Sequence, residues 1–116
     1  MCIRDSYKVN DRMVLMAIEL MENHIADPLE LDQMARIVGV STRQLNRLFA
    51  EKLNVSTVRF YRALRLEKAR ELLQQTTLNI AEISSATGFA NSAHFSRRFS
   101  VQYERPPSTF RRAVSG

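Results

Sequence analysis

The stretch FANSAHFSRRF, from Phe89 to Phe99, contains one histidine, two serines and two arginines within eleven residues. A histidine beside serine hydroxyls is the arrangement of a nucleophile and its general base. Arginines among small polar side chains are equally typical of a surface that reads the base edges of nucleic acid. These two chemistries need different supporting elements, so the remainder of the chain decides between them.

A catalytic role would require a base, a partner that orients it and a recognisable reaction motif. The only histidines are His24 and His94, and no aspartate follows Asp32 to orient His94. The sequence contains no nucleophile motif, glycine-rich phosphate loop or metal-ligand spacing. Cys2 is the single cysteine, which excludes an internal disulfide framework or a cysteine metal cluster. The sequence therefore predicts no enzyme, no catalytic residue, no metal and no cofactor.

The composition is typical of a small helical protein. The chain has 116 residues, 45% hydrophobic and 25% charged, with only three glycines and three prolines. Few helix breakers among many Leu, Ala, Glu, Arg and Gln residues favour helices over strands. No apolar run is long enough to span a membrane, and no signal peptide is recognisable. We expect a cytoplasmic protein without a membrane partner.

The charges are distributed unevenly along the chain. Residues 1–40 hold four of the 17 basic and seven of the 12 acidic residues, whereas residues 41–116 hold the other 13 basic and five acidic ones. A basic region attached to an acidic one indicates a surface that faces a polyanion. Solvated helix faces are the simpler alternative on charge alone.

Apolar periodicity and helix breakers predict an all-α fold of about seven helices. An amphipathic helix is expected over 12–25, and Gly39 is placed to end the helix after it. Ser41 is placed to cap the next helix, and Ser56 to cap a long one running to about Gln75. The predicted organisation is a leader over 1–8 (disordered or artefactual), a first helix-turn-helix subdomain over 9–55, a connector helix over 56–75 and a second subdomain over 76–113.

The two predicted subdomains share a sequence repeat. A shift of 49 places Leu31, Met34, Gly39 and Val40 on Ile80, Ile83, Gly88 and Phe89. A shift of 50 places Leu45, Arg47, Phe49 and Phe60 on Phe95, Arg97, Phe99 and Phe110. Apolar positions, a glycine and an arginine that agree together indicate a duplicated helix-turn-helix with a trailing helix.

A helix-turn-helix presents the outer side of its second helix to the DNA major groove. If the side chains of Leu45 and Phe95 point inward, a rotation of about 100° per residue places Arg47 and Arg97 near the middle of the outward sides of the two second helices. Arginine pairs with guanine, asparagine and glutamine pair with adenine, and serine and alanine suit small polar or thymine-methyl contacts. The outward positions are Arg43, Gln44, Asn46, Arg47 and Ala50 in the first unit and Ala93, Arg97 and Ser100 in the second, with His94 and Ser96 beside them. In the first unit, the inward side of this outward-facing helix is predicted to contain Leu45, Leu48, Phe49 and the stem of Lys52.

Phosphate contacts are expected from residues at the starts of the second helices of the two units, and Ser92 lies at one of these starts. Arg98 matches Leu48 in the repeat, and its role is left open between a packing stem and a phosphate contact. The phosphate candidates are Ser41, Thr42, Gln44, Asn91 and Arg98.

The connector over 56–75 is roughly 30 Å long, close to the ~34 Å between successive major-groove segments. Two units in adjacent major-groove segments are therefore predicted, with one or two phosphate contacts from the basic connector.

The second unit, IAEISSATGFANSAHFSRRFSVQYERPPSTFRR, resembles the C-terminal signature of the AraC/XylS family of bacterial transcription regulators, and LRLEKARELLQQT is similar to that family's connector helix. The resemblance runs from about Arg12 to Arg112. It implies two helix-turn-helix subdomains that bind an asymmetric double-stranded DNA site as a monomeric unit, in the nucleoid. It also implies RNA polymerase as a partner and an effector or dimerisation domain that is absent here. Some free-standing members of the family consist only of this domain. The wording here is closest to GlxA-like regulators, which have an amidotransferase-like N-terminal domain, and this favours a fragment of a longer regulator over a free-standing one.

The resemblance also implies which residues read bases. The matching positions are Arg43, Asn46 and Arg47 in the first unit and Ser92, Ala93, His94, Ser96 and Arg97 in the second. Three positions depart from the family pattern: Glu104 and Asn54 stand where glycine is usual, and Thr57 stands where proline is common. Asn54 tolerates the left-handed backbone conformation, whereas Glu104 puts the backbone conformation at its position in doubt.

Two non-enzymatic alternatives compete with DNA binding. A helical protein-interaction module would share these helices, but it has no need for outward arginines at equivalent repeat positions. Binding to single-stranded RNA usually relies on exposed stacking aromatics, and here the phenylalanines fall on inward faces. The sequence therefore favours specific DNA binding and transcription regulation.

Overall fold

A computed structural model describes residues 11–111, which form six α-helices and one short 3₁₀ helix. No strand occurs in this part of the chain, and the predicted all-α fold of about seven helices is confirmed there. The predicted leader over 1–8 lies outside the described residues. The helices are α1 (Arg12–Asn23), α2 (Leu31–Val38), α3 (Thr42–Leu53), α4 (Thr57–Gln75), α5 (Ile80–Ala86), α6 (Ser92–Tyr103) and the 3₁₀ helix η1 (Pro107–Phe110).

The described chain divides into two compact units. Unit 1 ends at Leu64 and unit 2 begins at Arg65, so the division falls inside the 19-residue helix α4. Side chains of α4 up to Leu64 belong to the core of unit 1, and those from Leu66 onward belong to the core of unit 2. That the first functional subdomain ends at residue 55 and the second begins at residue 76 stays a prediction.

Unit 1 is built on helices α1, α2 and α3, which pack against one another. The side chain of Asp11 caps α1 by accepting hydrogen bonds from the backbone N–H groups of Met13 and Val14. The predicted end of this helix at Ile25 is wrong by two residues, because His24 leaves the helical conformation at φ −133° and ψ 60°. Among the residues from 11 onward that the structure describes, thirteen are buried in the core of unit 1: Val14, Ala17, Ile18, Met21, Met34, Ala35, Val38, Leu45, Phe49, Leu53, Phe60, Tyr61 and Leu64.

The predicted inward side of α3 needs one correction. Leu53 is buried and Lys52 is exposed, so the last turn contributes Leu53 to the core rather than the Lys52 stem. The helical period does not separate the two residues, since 100° per residue places Lys52 within about 20° of Leu45. The physical reason is polarity, because a charged ammonium group is costly to remove from water, whereas Leu53 buries an apolar side chain.

Unit 2 has a smaller, aromatic core. Its buried residues are Leu66, Ala69, Leu73, Ile83, Phe89, Phe95 and Phe99. The Phe99 ring centroid lies 5.6 Å from Phe95, 4.6 Å from Tyr103 and 5.3 Å from Phe110. Burial raises the pKa of Tyr103 above its ordinary value, so its hydroxyl stays neutral at pH 7. Three guanidinium groups cover ring faces at the edge of this core: Arg65 over Phe89, Arg70 over Tyr103 and Arg105 over Phe110.

The repeat predicted from the sequence is present in the structure of the two units. Helices α3 and α6 both have twelve residues, and they begin 50 positions apart. Phe49 meets Phe60 edge to face with ring centroids 5.5 Å apart, and Phe99 meets Phe110 in the same way at 5.3 Å. The segment at Phe110 is a 3₁₀ helix rather than an α-helix, yet it delivers the equivalent ring.

Candidate nucleic-acid interface

The turn between α2 and α3 fixes the start of the outward-facing helix of unit 1. Gly39 ends α2 at φ 94°, in the left-handed region that favours glycine, and its N–H donates to Ala35 O at 2.8 Å. Ser41 Oγ accepts a hydrogen bond from the Gln44 N–H at 3.1 Å. Gln44 Oε1 in turn accepts from the Ser41 N–H at 3.3 Å, which completes a capping box. The predicted roles of Gly39 and Ser41 are confirmed.

The equivalent turn of unit 2 is held by different side chains. The Thr87 hydroxyl donates to Ile83 O at 2.7 Å, and Gly88 adopts φ 78°. Arg65 donates to Thr87 O at 2.9 Å and to Gly88 O at 3.2 Å, so it satisfies carbonyl groups at the end of α5. Asn91 Oδ1 accepts from the His94 N–H at 2.8 Å and caps α6. Helices α3 and α6 therefore each begin at a capped position; they are called the reading helices hereafter, after the base-reading role predicted for them from the sequence.

The outward side of each reading helix carries the residues that the sequence placed there. In unit 1, Arg43, Gln44, Arg47 and Ala50 are exposed. In unit 2, Ala93 and Arg97 are exposed and Ser100 is half-buried. Arg47 and Arg97 occupy the same position in the two helices, since both lie between buried residues at 45 and 49 or at 95 and 99.

Asn46 lies apart from these exposed residues. It is half-buried, and its Oδ1 accepts a hydrogen bond from the Thr57 N–H at 3.2 Å. Thr57 is the first residue of α4, so the asparagine satisfies one of the free N–H groups at that helix start. Its carbonyl oxygen is committed to the fold, and only its NH₂ group is available as a donor to a base.

The remaining candidates of unit 2 are packed against the turn. Ser92, His94 and Ser96 are half-buried. The His94 ring lies against Phe89, with ring centroids 5.8 Å apart and planes at 65°. His94 therefore borders the exposed side of α6, and its contact with the Phe89 ring orients the imidazole.

The predicted phosphate contacts lie where helix starts need caps. Ser41, Gln44 and Asn91 are exposed, and each uses a side-chain oxygen for a cap hydrogen bond. Thr42 and Arg98 are half-buried. The half-buried state of Arg98 is compatible with a stem that packs like its counterpart Leu48, which is also half-buried.

Two outward residues are missing from the candidates predicted from sequence. Glu51 follows Arg47 by four positions, and the Arg47 Nε–Glu51 Oε1 distance is 3.4 Å. Val101 follows Arg97 by four positions and is 74% exposed. A rotation of 100° per residue places both on the outward side, so the repeat and the helical period together contain the signal that identifies them.

The connector cations are largely occupied within the fold. Arg65 binds the α5 end, Arg70 lies over Tyr103 with 5.3 Å between guanidinium carbon and ring centroid, and Lys68 lies 3.5 Å from Glu71. Arg59 is exposed at the start of α4. Lys68 therefore pairs with a glutamate of its own helix.

Between residues 11 and 111, no group of three or more His, Cys, Asp or Glu side chains could hold a metal ion. None of the helices described in that range is both long and apolar enough to cross a bilayer.

Comparison with protein families and curated proteins gives consistent matches. A family model described as a helix-turn-helix domain matches residues 34–113. The HTH-type transcriptional regulator GlxA of Rhizobium meliloti (strain 1021) is 43% identical over 108 residues, which cover 93% of this chain and 33% of that protein. The chain spans between 24% and 33% of the length of the first curated relatives it matches.

Solved structures share the fold. A transcriptional regulator from Chromobacterium violaceum, titled as a protein containing an AraC-type DNA-binding domain, is 42% identical with a TM-score of 0.84, covering 90% of this chain and 95% of that chain. The DNA-binding domain of AdpA, a global transcriptional factor solved in complex with a target DNA, is 19% identical with a TM-score of 0.80, covering 92% and 100%. At that identity, the second likeness shows the fold alone.

Proposed function

The chain belongs to the AraC-type family of helix-turn-helix DNA-binding domains, and from this premise we propose that it binds a specific double-stranded DNA sequence through both reading helices and thereby regulates bacterial transcription. Relatives named as transcriptional regulators support this function over a helical interaction module without DNA binding. The proposal concerns what these 116 residues do, whatever longer protein they act in.

One observation carries the proposal: an exposed arginine stands at the same place in both units. Arg47 and Arg97 lie in the second turn of twelve-residue helices that follow a left-handed glycine. Neither side chain contributes to a core, since both are exposed between buried neighbours. An arginine held there presents a planar fork of donors, which matches the O6 and N7 acceptors of guanine in the major groove.

The other residue roles follow from position. Base reading is assigned to Arg43, Asn46 and Arg47 in unit 1 and to Ser92, Ala93, His94, Ser96 and Arg97 in unit 2. Asn46 takes part through its NH₂ group, because its carbonyl oxygen accepts from Thr57. Phosphate contacts are assigned to Ser41, Thr42, Gln44 and Asn91, since helix starts favour anions, and to Arg98 in the middle of α6, whose guanidinium is a phosphate donor.

Two reading helices with different outward residues favour an asymmetric DNA site. The continuous helix α4 has 19 residues, a length of about 28 Å. Successive major-groove segments on one side of a duplex lie ~34 Å apart. Placement of the two units in adjacent segments is part of the proposal and is supported by this match of lengths.

Transcription regulation extends the proposal beyond DNA binding itself. Contact with RNA polymerase and a location in the nucleoid of the cytoplasm are supported only by the family's role in transcription, and no residue is assigned to the polymerase. Signal sensing is assigned to sequence outside these 116 residues, in keeping with the greater length of the curated relatives.

Selection from random duplexes at two salt concentrations tests the proposed function. We expect one enriched motif that extends over two major-groove segments, with affinity falling steeply as salt rises because phosphate contacts release counterions. A failure to enrich any motif would contradict specific reading. A motif confined to half a helical turn would contradict the two-unit placement. Single-stranded RNA of the enriched sequence serves as the competitor, and we expect it not to displace the duplex.

A further inference from the structure

The residue four positions after the outward arginine differs between the two otherwise matched reading helices. Glu51 of α3 and Val101 of α6 occupy equivalent positions, since the two helices are related by a shift of 50. Residues four apart on a helix are neighbours on one side, so each lies beside its arginine. We propose that this position determines how each unit reads its base pairs, and the proposal rests on the proposed function. In unit 1, Glu51 aligns Arg47 for guanine and repels the phosphates of the DNA. In unit 2, Val101 contacts a thymine methyl group beside Arg97.

In unit 1, the ion pair leaves the recognition edge of the arginine accessible. The closest contact joins Arg47 Nε to Glu51 Oε1 at 3.4 Å, with the two side chains 72% and 59% exposed. Bidentate recognition of guanine is possible with the two terminal nitrogens of the guanidinium. A carboxylate that holds Nε therefore restricts the rotation of the fork without occupying the nitrogens that face a base.

The ion pair is also poorly explained by stability. An exposed i,i+4 pair of this kind contributes little to folding. A carboxylate on a surface that approaches DNA repels phosphates. It therefore lowers the affinity of any complex in which Arg47 pairs with a phosphate of the DNA backbone. This repulsion lowers non-specific affinity more than specific affinity, which increases discrimination.

In unit 2, the arginine has no such restraint. Among residues 11–111, no carboxylate lies within 4.0 Å of Arg97, and the position of Glu51 is taken by Val101. Val101 is 74% exposed and adds nothing to the core. Valine is also a weaker helix former than most residues because its branched side chain is restricted in a helix. An exposed valine here is explained by apolar contact with the C5-methyl group that marks thymine in the major groove.

The test compares base-preference profiles and non-specific affinity of the full chain and four variants. Glu51→Gln keeps the shape of the side chain and removes its charge. Val101→Ala shortens the apolar side chain, and Val101→Glu introduces into unit 2 the residue of unit 1. Val58→Glu is the matched control, because Val58 is an exposed valine on α4 that lies outside the reading helices.

We expect Glu51→Gln to raise affinity for random duplex and to lower the ratio of specific to non-specific affinity about twofold, the scale of an exposed i,i+4 ion pair. Val101→Ala should flatten the preference for thymine at one motif position and leave the guanine preference of Arg97 in place. Val101→Glu should lower non-specific affinity by more than Val58→Glu does.

Three results would overturn the proposal. The first is a Glu51→Gln profile with both unchanged discrimination and unchanged non-specific affinity. The second is an unchanged thymine preference in Val101→Ala, and the third is an equal effect of Val101→Glu and Val58→Glu. Failure of the wild-type chain to enrich any motif overturns the proposed function as well, so the two failures are distinguishable.

Discussion

Units 1 and 2 share a frame and differ in what they display. In each unit a left-handed glycine precedes a capped twelve-residue helix, and a phenylalanine of that helix meets a second ring edge to face. The outward sides differ: α3 carries Arg43, Arg47 and Glu51, whereas α6 carries Ala93, Arg97 and Val101. The frame positions an arginine in both units, and the residues beside it make the two surfaces chemically distinct.

The cores differ as well. Unit 1 buries thirteen core residues, most of them aliphatic, and unit 2 buries seven, of which three are phenylalanines. Phe99 alone contacts three other rings. Aromatic rings bury large areas and add specific ring contacts, so a small core reaches sufficient stability with few residues. Unit 2 should consequently depend more strongly on single aromatic side chains.

The largest predicted effect tests the division into two separate cores. Phe99→Ala should destabilise unit 2 by about 3–5 kcal/mol, because it leaves a cavity in the middle of the ring cluster. Amide hydrogen exchange should show lost protection in α5 and α6 while α1 and α2 keep theirs. Phe49→Ala is the matched substitution in unit 1 and should give the reverse pattern. Equal loss of protection across both units in the two variants would contradict the division into separate cores.

The next effect concerns the left-handed turn. Gly39→Ala should destabilise unit 1 by about 1–2 kcal/mol, because φ 94° is strained for a residue with a Cβ. No atom lies within 4 Å of an added Cβ, so backbone strain alone is responsible. Gly39→Asn should cost less, since asparagine tolerates this region. Chemical denaturation measures both, and equal costs for the two variants would exclude the strain explanation.

The smallest effect compares the two helix ends. Asn54 and Glu104 end α3 and α6 in the left-handed conformation, at φ 57° and φ 62°. Glu104→Gly should stabilise the protein by up to about 1 kcal/mol by removing that strain, and Asn54→Gly should gain less because asparagine is already tolerated. A larger gain at Asn54 than at Glu104, measured by denaturant unfolding, would contradict this ranking.

Local sequence signals account for the frame. Gly39, Ser41, Asn54 and the repeat were predictable because caps and left-handed turns depend on residue types a few positions apart. The end of α1 was predicted two residues too late, since the apolar stripe continues to Ile25 while the backbone at His24 turns away. That departure is fixed by contacts, including a hydrogen bond from the Tyr61 hydroxyl to His24 O.

Long-range contacts account for what the sequence left open at the site. The engagement of Asn46 with Thr57 joins residues 11 apart, and that of Arg65 with the Thr87 carbonyl joins residues 22 apart. Neither has a local signature, so Asn46 was predicted to face outward. Along α4, the buried residues include Phe60, Tyr61, Leu64, Leu66 and Ala69, because this helix serves two cores and has no single apolar stripe.

We propose that each unit reads DNA through the arginine at the repeated position, Arg47 or Arg97. The direct measurement is the base-preference profile of Arg47→Ala and Arg97→Ala beside the wild-type chain, with Arg59→Ala as an exposed-arginine control outside the reading helices. Each reading variant should lose about 1–3 kcal/mol of discrimination at its own motif position, with the two positions in different groove segments, while the control weakens all sequences alike. Loss at the same position in both variants, or at none, would contradict the claim.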